Sequence, residues 1–348
     1  RTRQRGMQNW DGKIHYITKT GQFKIGLLPK VYDMCIEMGI KPKVVDTRQP
    51  LPKVSKVVTK IGKYKLRPEQ EKAVKAVINN TIGGKPFHIG VLDYTVNAGK
   101  TLIMSSLYLS YKKQLKTLLI TNDSDWLNQA REEFKQYLPG EDITFVQGKV
   151  LNWSNFTIGM VQSISRNMRF YQKELSQIDM VLIDEADQGG SRQYRNVITR
   201  LFNTRIRIGL SGTIYMSKLA KDKVKNMNLE CFFGKVLAEF KLRDSIKKGY
   251  STKTVVKMVP GKPWYGNWES DCISYKEIYD DSITNSYTAW LMAYSRLRWN
   301  INQGRYPALV VCKHIAHCEN LYKFFKKKLG DAYNICLLYT SPSPRDTR

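Results

Sequence analysis

From Leu66 onward, short apolar runs alternate with amphipathic stretches. Apolar runs at 87–93 and 117–121, and at ITFVQ, FTIGMV, MVLID and RIRIGL, predict strands, while helical periodicity over 69–79, 100–113 and most of the intervening stretches predicts helices. Strands alternating with helices point to a parallel sheet covered on both faces. The spacing predicts one α/β domain over 61–249.

The flanks have a different texture. Residues 1–60 combine short alternating segments (KIHYITKTGQFKIGLL), a helix from Pro29 to Met38 and the Pro-interrupted basic stretch KPKVVDTRQPLPKVSKVV, which reads as a small α+β domain and a linker. Over 250–335 the strand-like STKTVVKMVP, a long polar and aromatic helix at about 273–302, a buried strand PALVVC at 307–312 and the helix IAHCENLYKFFKKKL predict one strand–helix unit of a second sheet. The chain opens on Arg1, with its first methionine at Met7. The stretch CLLYTSPSPRD, Cys336 to Asp346, resembles a transposase adapter of sequencing libraries read in one frame, so 336–348 is expected to be foreign and natural coding sequence to stop near Ile335.

Charge narrows the partners. Fifty-seven Lys and Arg against thirty Asp and Glu give a net charge of +27, which suits a polyanion and predicts binding that weakens steeply with salt. No apolar run reaches the roughly 18 residues of a membrane span and no signal peptide opens the chain, so a cytosolic protein with no membrane partner is expected. The six cysteines are scattered without a C-x-x-C pair. Cys312 and Cys318 bracket His314 and His317, but the spacing is not that of a zinc site, and no zinc is expected.

The sharpest local feature is TVNAGKT at 95–101, between an apolar strand and a helical pattern. A strand–loop–helix with small residues lets backbone N–H groups and a helix N-terminus surround phosphates, so Val96, Asn97, Ala98, Gly99, Lys100 and Thr101 are candidate nucleotide-binding residues. Lys100 would reach the β and γ phosphates of ATP and Thr101 would ligate Mg²⁺. The first glycine of the usual phosphate-loop pattern is replaced by Tyr94. In MVLIDEAD at 180–187 an apolar strand ends in two acids, at the sheet edge where open α/β folds bind ligands. There Asp184 can hold Mg²⁺ and Glu185 can deprotonate an attacking water.

These segments together resemble the superfamily 2 helicases: NAGKT is similar to their motif I, DEAD at 184–187 to motif II, SGT at 211–213 to motif III and ALVVCKHIAHCENL to motif IV. The resemblance implies a RecA-like first motor domain and a truncated second one. It implies adenine recognition by Gln70 of LRPEQ, and coupling of nucleotide state to nucleic-acid grip through Ser211 and Thr213. Segments similar to motif Ia and to the element before motif II imply nucleic-acid contacts by Thr121, Gln162 and Ser163, whereas Trp126 is expected to pack its helix. WDGKIHYITKTGQFKIGLLPKVYDMC and ECFFGKVLAEFKLRDSIKKGY resemble phage UvsW-type recombination helicases, which implies ATP-driven unwinding or branch migration of duplex, forked or branched DNA. The family's motifs V and VI, with an arginine that stabilises the transferred phosphoryl group, have no counterpart after motif IV. The expectation is an ATPase parent of which this stretch binds nucleotide and DNA only weakly.

Three other readings stay open. The literal DEAD suggests an RNA-directed DEAD-box enzyme, although SGT replaces the SAT common there. A restriction or packaging motor would need a further nuclease or partner domain. A non-catalytic nucleic-acid-binding module would have no use for intact Lys100, Thr101, Asp184 and Glu185.

Overall fold

The computed structural model describes residues 14–111, 114–148, 150–214, 220–253, 274–305 and 308–337. It divides into two compact units, Arg1–Lys253 and Thr254–Arg348.

In the first unit, helix α1 (Leu28–Glu37) precedes two short antiparallel ladders, β1 (Lys60–Ile61) with β2 (Tyr64–Lys65) and β3 (Thr81–Ile82) with β4 (Lys85–Pro86). Helix α2 (Pro68–Ile78) lies between the ladders, with Pro68 at its first position where a missing N–H costs nothing. Then come β5 (His88–Tyr94), α3 (Lys100–Ser110), β6 (Thr117–Thr121), α4 (Ser124–Tyr137), β7 (Ile143–Gln147), β8 (Val150–Leu151) and β9 (Phe156–Met160). Helices α5 (Val161–Arg166) and α6 (Gln172–Ser176), strand β10 (Met180–Asp184), α7 (Arg192–Ile198), β11 (Ile206–Ser211), α8 (Ala220–Phe233), β12 (Val236–Phe240) and α9 (Leu242–Lys247) complete it.

The main sheet has the order β12-β5-β11-β10-β6-β9-β7-β8, with only β8 antiparallel to its neighbour. Every residue of β5, β6, β10 and β11 is buried. Side chains alternate between two cores: Leu92, Leu119, Leu182 and Ile208 meet the face of α2, α3 and α4, while Val91, Leu118, Ile120 and Ile183 meet the face of α7 and α8. Burying each such side chain is worth about 1.5–3 kcal/mol, which makes this double-faced core the main source of stability. Helix α4 starts where Asp123 Oδ1 accepts the N–H groups of Asp125 and Trp126 at 2.8 and 3.1 Å, and Trp126 packs against the core as expected.

The segment before Lys60 contributes one isolated bridge, Ile17 to Phe23, rather than the strands its alternation suggests. It shares the cores of the sheet: Leu27 joins Val91 and Phe233, and Leu51, Val54 and Val58 lean on the opposite cluster. Gly26 lies so close to α8 that a Cβ there would sit 2.1 Å from the Glu230 carbonyl oxygen.

In the second unit the single helix expected over 273–302 is broken. Helix α10 (Tyr275–Tyr279) passes into a π-helical turn, Asp280–Thr284, and α11 (Tyr287–Asn302) restarts with the Ser286 hydroxyl capping Ala289 N–H. The break is tied back by Trp290 Nε1, which donates to Thr284 O at 3.1 Å. Helix α12 (Ile315–Leu329) buries Leu321, Phe324 and Phe325 against Trp290, Tyr294 and Leu297 of α11. The expected strand PALVVC is corrected: its described residues form no ladder, and Leu309 and Val311 are 78% and 82% exposed. A strand gains its hydrogen bonds only from a neighbour, and no strand of this unit lies among the described residues. Most of STKTVVKMVP, and the adapter-like stretch from 338 onward, fall outside the described residues.

Candidate nucleotide site

The carboxyl ends of β5, β11, β10 and β6 lie side by side, and their loops bring together most of the residues singled out in the sequence. Beyond β5, Asn97 and Gly99 take left-handed conformations at φ 63° and 74°, and α3 begins immediately afterwards at Lys100. The first turn of a helix leaves backbone N–H groups without intrahelical acceptors, so the loop offers a cradle for phosphate. Gly99 is fixed by space as well as by φ, because a Cβ there would lie 2.4 Å from Gln70 Nε2. Val96 and Asn97 are exposed at the tip, and Ala98 is buried beneath it.

Gln70 is 2% exposed and belongs to the base of this loop. Its Oε1 accepts Arg67 N–H at 2.8 Å and its Nε2 donates to Ala98 O at 2.8 Å, so the amide sets the spacing between α2 and the loop that precedes α3. The residue that reaches over the loop is Arg67, whose guanidinium donates to Asn97 O at 3.1 Å and stacks 4.4 Å from the Tyr250 ring centroid. Neither Arg67 nor Tyr250 was singled out from the sequence, although Arg67 stands in the same LRPEQ run. Glu69 beneath them is buried and paired with Lys248 at 2.7 Å.

At the end of β10, Asp184 is 2% exposed and lies 3.1 Å from Lys100 Nζ, which also lies 3.3 Å from Glu185 Oε1. Burial alone would depress the Lys100 ammonium, but Asp184 and Glu185 outweigh it and hold the group above its ordinary value. Burial raises the carboxyls of Asp184 and Glu185 above theirs, against the pull of Lys100. Glu185 has a left-handed backbone at φ 51°, an uncommon conformation for a side chain of this size, and projects a carboxylate that is 42% exposed.

Asp184 Oδ1 is buried, and the Lys100 ammonium 3.1 Å away is its close polar neighbour. With Lys100 drawn aside, such a carboxylate oxygen, within reach of the start of α3, would fit Mg²⁺, which binds through one or two carboxylates together with substrate phosphates. Among the described residues no three His, Cys, Asp or Glu side chains converge as a cage for a metal by themselves.

The loop after β11 meets the acidic turn. Ser211 Oγ donates to Asp187 Oδ1 at 2.9 Å, accepts Thr213 N–H at 3.2 Å and lies 3.3 Å from Thr213 Oγ1. Asp187 was given no role of its own in the sequence reading, yet it joins the two loops.

Thr121, Gln162 and Ser163 also gather at this edge, each tied into the scaffold by a hydrogen bond, while Gln162 Oε1 is buried without a partner. Thr121 is 1% exposed and its hydroxyl accepts Asp123 N–H, Ser163 Oγ accepts Gly148 N–H, and Gln162 Nε2 donates to Asn122 O. Around them the exposed cations are Arg166 and Arg169, with Arg192 and Arg195 on α7, which packs against α5.

Comparison with known proteins agrees with this layout. Residues 63–216 match the family model described as type III restriction enzyme, res subunit. The ATP-dependent DNA helicase uvsW of Enterobacteria phage T4 is 20% identical over 94% of this chain, which spans 66% of that relative's length. A crystal structure of the UvsW helicase from bacteriophage T4 superposes with a TM-score of 0.52 at 21% identity, covering 68% of this chain and 85% of that one. A second T4 UvsW structure gives 0.51 at 20% identity, covering 92% and 64%. No helix among the described residues is long and apolar enough to cross a membrane. The segments that resemble motifs I, II and III of superfamily 2 helicases thus follow β5, β10 and β11, neighbouring strands of a parallel sheet with helices on both faces, in a chain similar to the UvsW helicase of phage T4.

Proposed function

We propose that this chain carries the first-domain half of an ATP site in a DNA helicase or translocase that unwinds or branch-migrates duplex, forked or branched DNA. The observation that carries the ATP reading is the Lys100–Asp184–Glu185 cluster at the foot of the left-handed Asn97–Gly99 turn. Without ligand, Lys100 rests on the two carboxylates. Bound ATP would draw its ammonium towards the phosphates and free Asp184 and Thr101 to hold Mg²⁺, which would neutralise charge on the phosphates. Glu185, half exposed and raised by burial, would take a proton from water. Gln70 and Arg67 would border the base, and Ser211, Thr213 and Asp187 would pass the state of the site to the next strand.

DNA is preferred over RNA because the relative that matches nearly the whole chain is named a DNA helicase. The charge of +27 and the exposed arginines of α5 and α7 suit a phosphate backbone. The buried hydroxyls of Thr121 and Ser163 would shape that surface, leaving direct contact to the arginines.

The test is binding of a fluorescent ATP analogue with Mg²⁺, together with ATP turnover with forked DNA or single-stranded RNA added. Binding should vanish in Lys100→Ala and persist in Glu185→Gln. In any form of the protein that hydrolyses ATP, Glu185→Gln should lower turnover by about 10²–10⁴-fold. Equal turnover by both versions would remove Glu185 as the base, and stimulation by RNA alone would remove the DNA reading.

A further inference from the structure

A second basic site lies at the amino-terminal edge of the main sheet, remote along the strands from the nucleotide loops. Arg207 is the second residue of β11, on the face covered by α8, and is only 8% exposed. One arm donates to Phe232 O at 3.2 Å, while Nε is buried with no hydrogen-bond partner. Among the described residues no carboxylate pairs with it, and burial, with Arg48 nearby, lowers the guanidinium to about 10. A buried charge in this condition is expensive unless something else compensates it.

Arg207 lines a cavity of about 260 Å³ whose other walls include Lys24, Ile25, Arg48 and Thr204. Arg48 is already neutralised: it grips both oxygens of Asp46 at 2.9 and 2.8 Å and donates to Thr204 O at 2.6 Å. Lys24 is exposed, comes from the N-terminal segment, and has no ion-pair partner among the described residues. Glu230, the acidic residue next to the cavity residue Cys231, is taken by Lys30 at 2.6 Å. The cavity is therefore lined by two cations with no carboxylate partner among the described residues, one of them recessed and with a buried guanidinium N–H that meets no acceptor.

We propose that this cavity binds a small free oxyanion of the phosphate class between Arg207 and Lys24, and that the bound anion ties the N-terminal segment to the motor sheet. A planar guanidinium that lines the cavity without a carboxylate partner suits an oxyanion, and a compact ion can reach a side chain that is 92% covered, unlike a phosphate carried on a polymer. The site shares no residue with the nucleotide loops, so it stands or falls independently of the ATP reading.

The experiment uses the full chain carrying Lys100→Ala, which silences the phosphate loop, and titrates inorganic phosphate at constant ionic strength with chloride as the control. One phosphate should bind, raise the unfolding midpoint and slow proteolysis within residues 14–50. Arg207→Met should abolish all three effects. Lys24→Glu, at an exposed position, should fold normally and weaken binding by at least about tenfold, a readout that survives even if Arg207→Met fails to fold. The proposal is overturned if phosphate does no more than chloride, or if Lys24→Glu binds it unchanged. Displacement of the phosphate by a short DNA duplex would overturn the free ion as occupant.

Discussion

The Ser211 hydroxyl donates to Asp187 Oδ1 at 2.9 Å, fastening the end of β11 to the turn that follows β10. Two neighbouring loops of the site are thereby linked through one proton rather than through the nucleotide alone.

Ser211→Ala removes that link while leaving Lys100, Asp184 and Glu185 untouched. Nucleotide affinity should change by less than about twofold, whereas in any form of the protein that hydrolyses ATP the DNA-dependent part of turnover should fall about fivefold, the equivalent of one hydrogen bond of about 1 kcal/mol. Titration with a fluorescent nucleotide, alongside turnover with and without forked DNA, separates the two. An equal loss of both would mean that the contact builds the pocket instead of relaying its state.

Gly99 and Gln70 should behave as a pair. Gly99→Ala must accommodate both φ 74° and a methyl group 2.4 Å from Gln70 Nε2, so nucleotide binding should be lost and stability should fall by about 1–3 kcal/mol. Gln70→Ala clears the space but leaves Ala98 O and Arg67 N–H unmatched, and should cost about 1–3 kcal/mol in urea unfolding. Because the residues touch, the double variant should cost less than the sum. Strict additivity would deny the contact.

Removing the Lys100 ammonium with Lys100→Met strands the buried Asp184 carboxylate, and the unliganded chain should lose up to about 3–5 kcal/mol near neutral pH. The sign with pH follows from the direction of the shift. Asp184 and Glu185 are raised in the folded state, so lowering the pH through their raised values protonates them and relieves the penalty. The deficit relative to the parent chain should therefore shrink between pH 8 and pH 5, read as the difference in urea midpoints. A deficit that grows on acidification would contradict the assignment.

The strands of the main sheet were readable because a parallel sheet covered on both faces writes itself as continuous apolar runs, and MVLID and TLLIT are recovered residue for residue. PALVVC carries the same signal without the same outcome. An apolar run records the capacity to pair, but not whether a neighbouring edge is present. The helix expected over 273–302 concealed its break because Ser286 and Thr284 are tolerated within helices, and only the Ser286 cap and the Trp290 bond to Thr284 O reveal the restart. At the site, Lys100, Asp184 and Glu185 were legible from residue type and position on strand ends. Arg67, Tyr250 and Asp187 were not, since their roles depend on distances between segments as far apart as residues 67 and 250.

The place of β11 between β5 and β10 sets a limit on how this sequence can vary in length. Side chains on a strand alternate with period two, so adding or deleting one residue within β11 would turn every later position to the opposite face. Ser211 would leave Asp187, and the aliphatic side chains of Ile208 and Leu210 would exchange cores with Arg207 and Gly209. A two-residue change would restore the faces but shift the loop by about 6.6 Å along the sheet, beyond the reach of a hydroxyl. Length variation in this part of the chain should therefore be confined to the loops on either side of the strand.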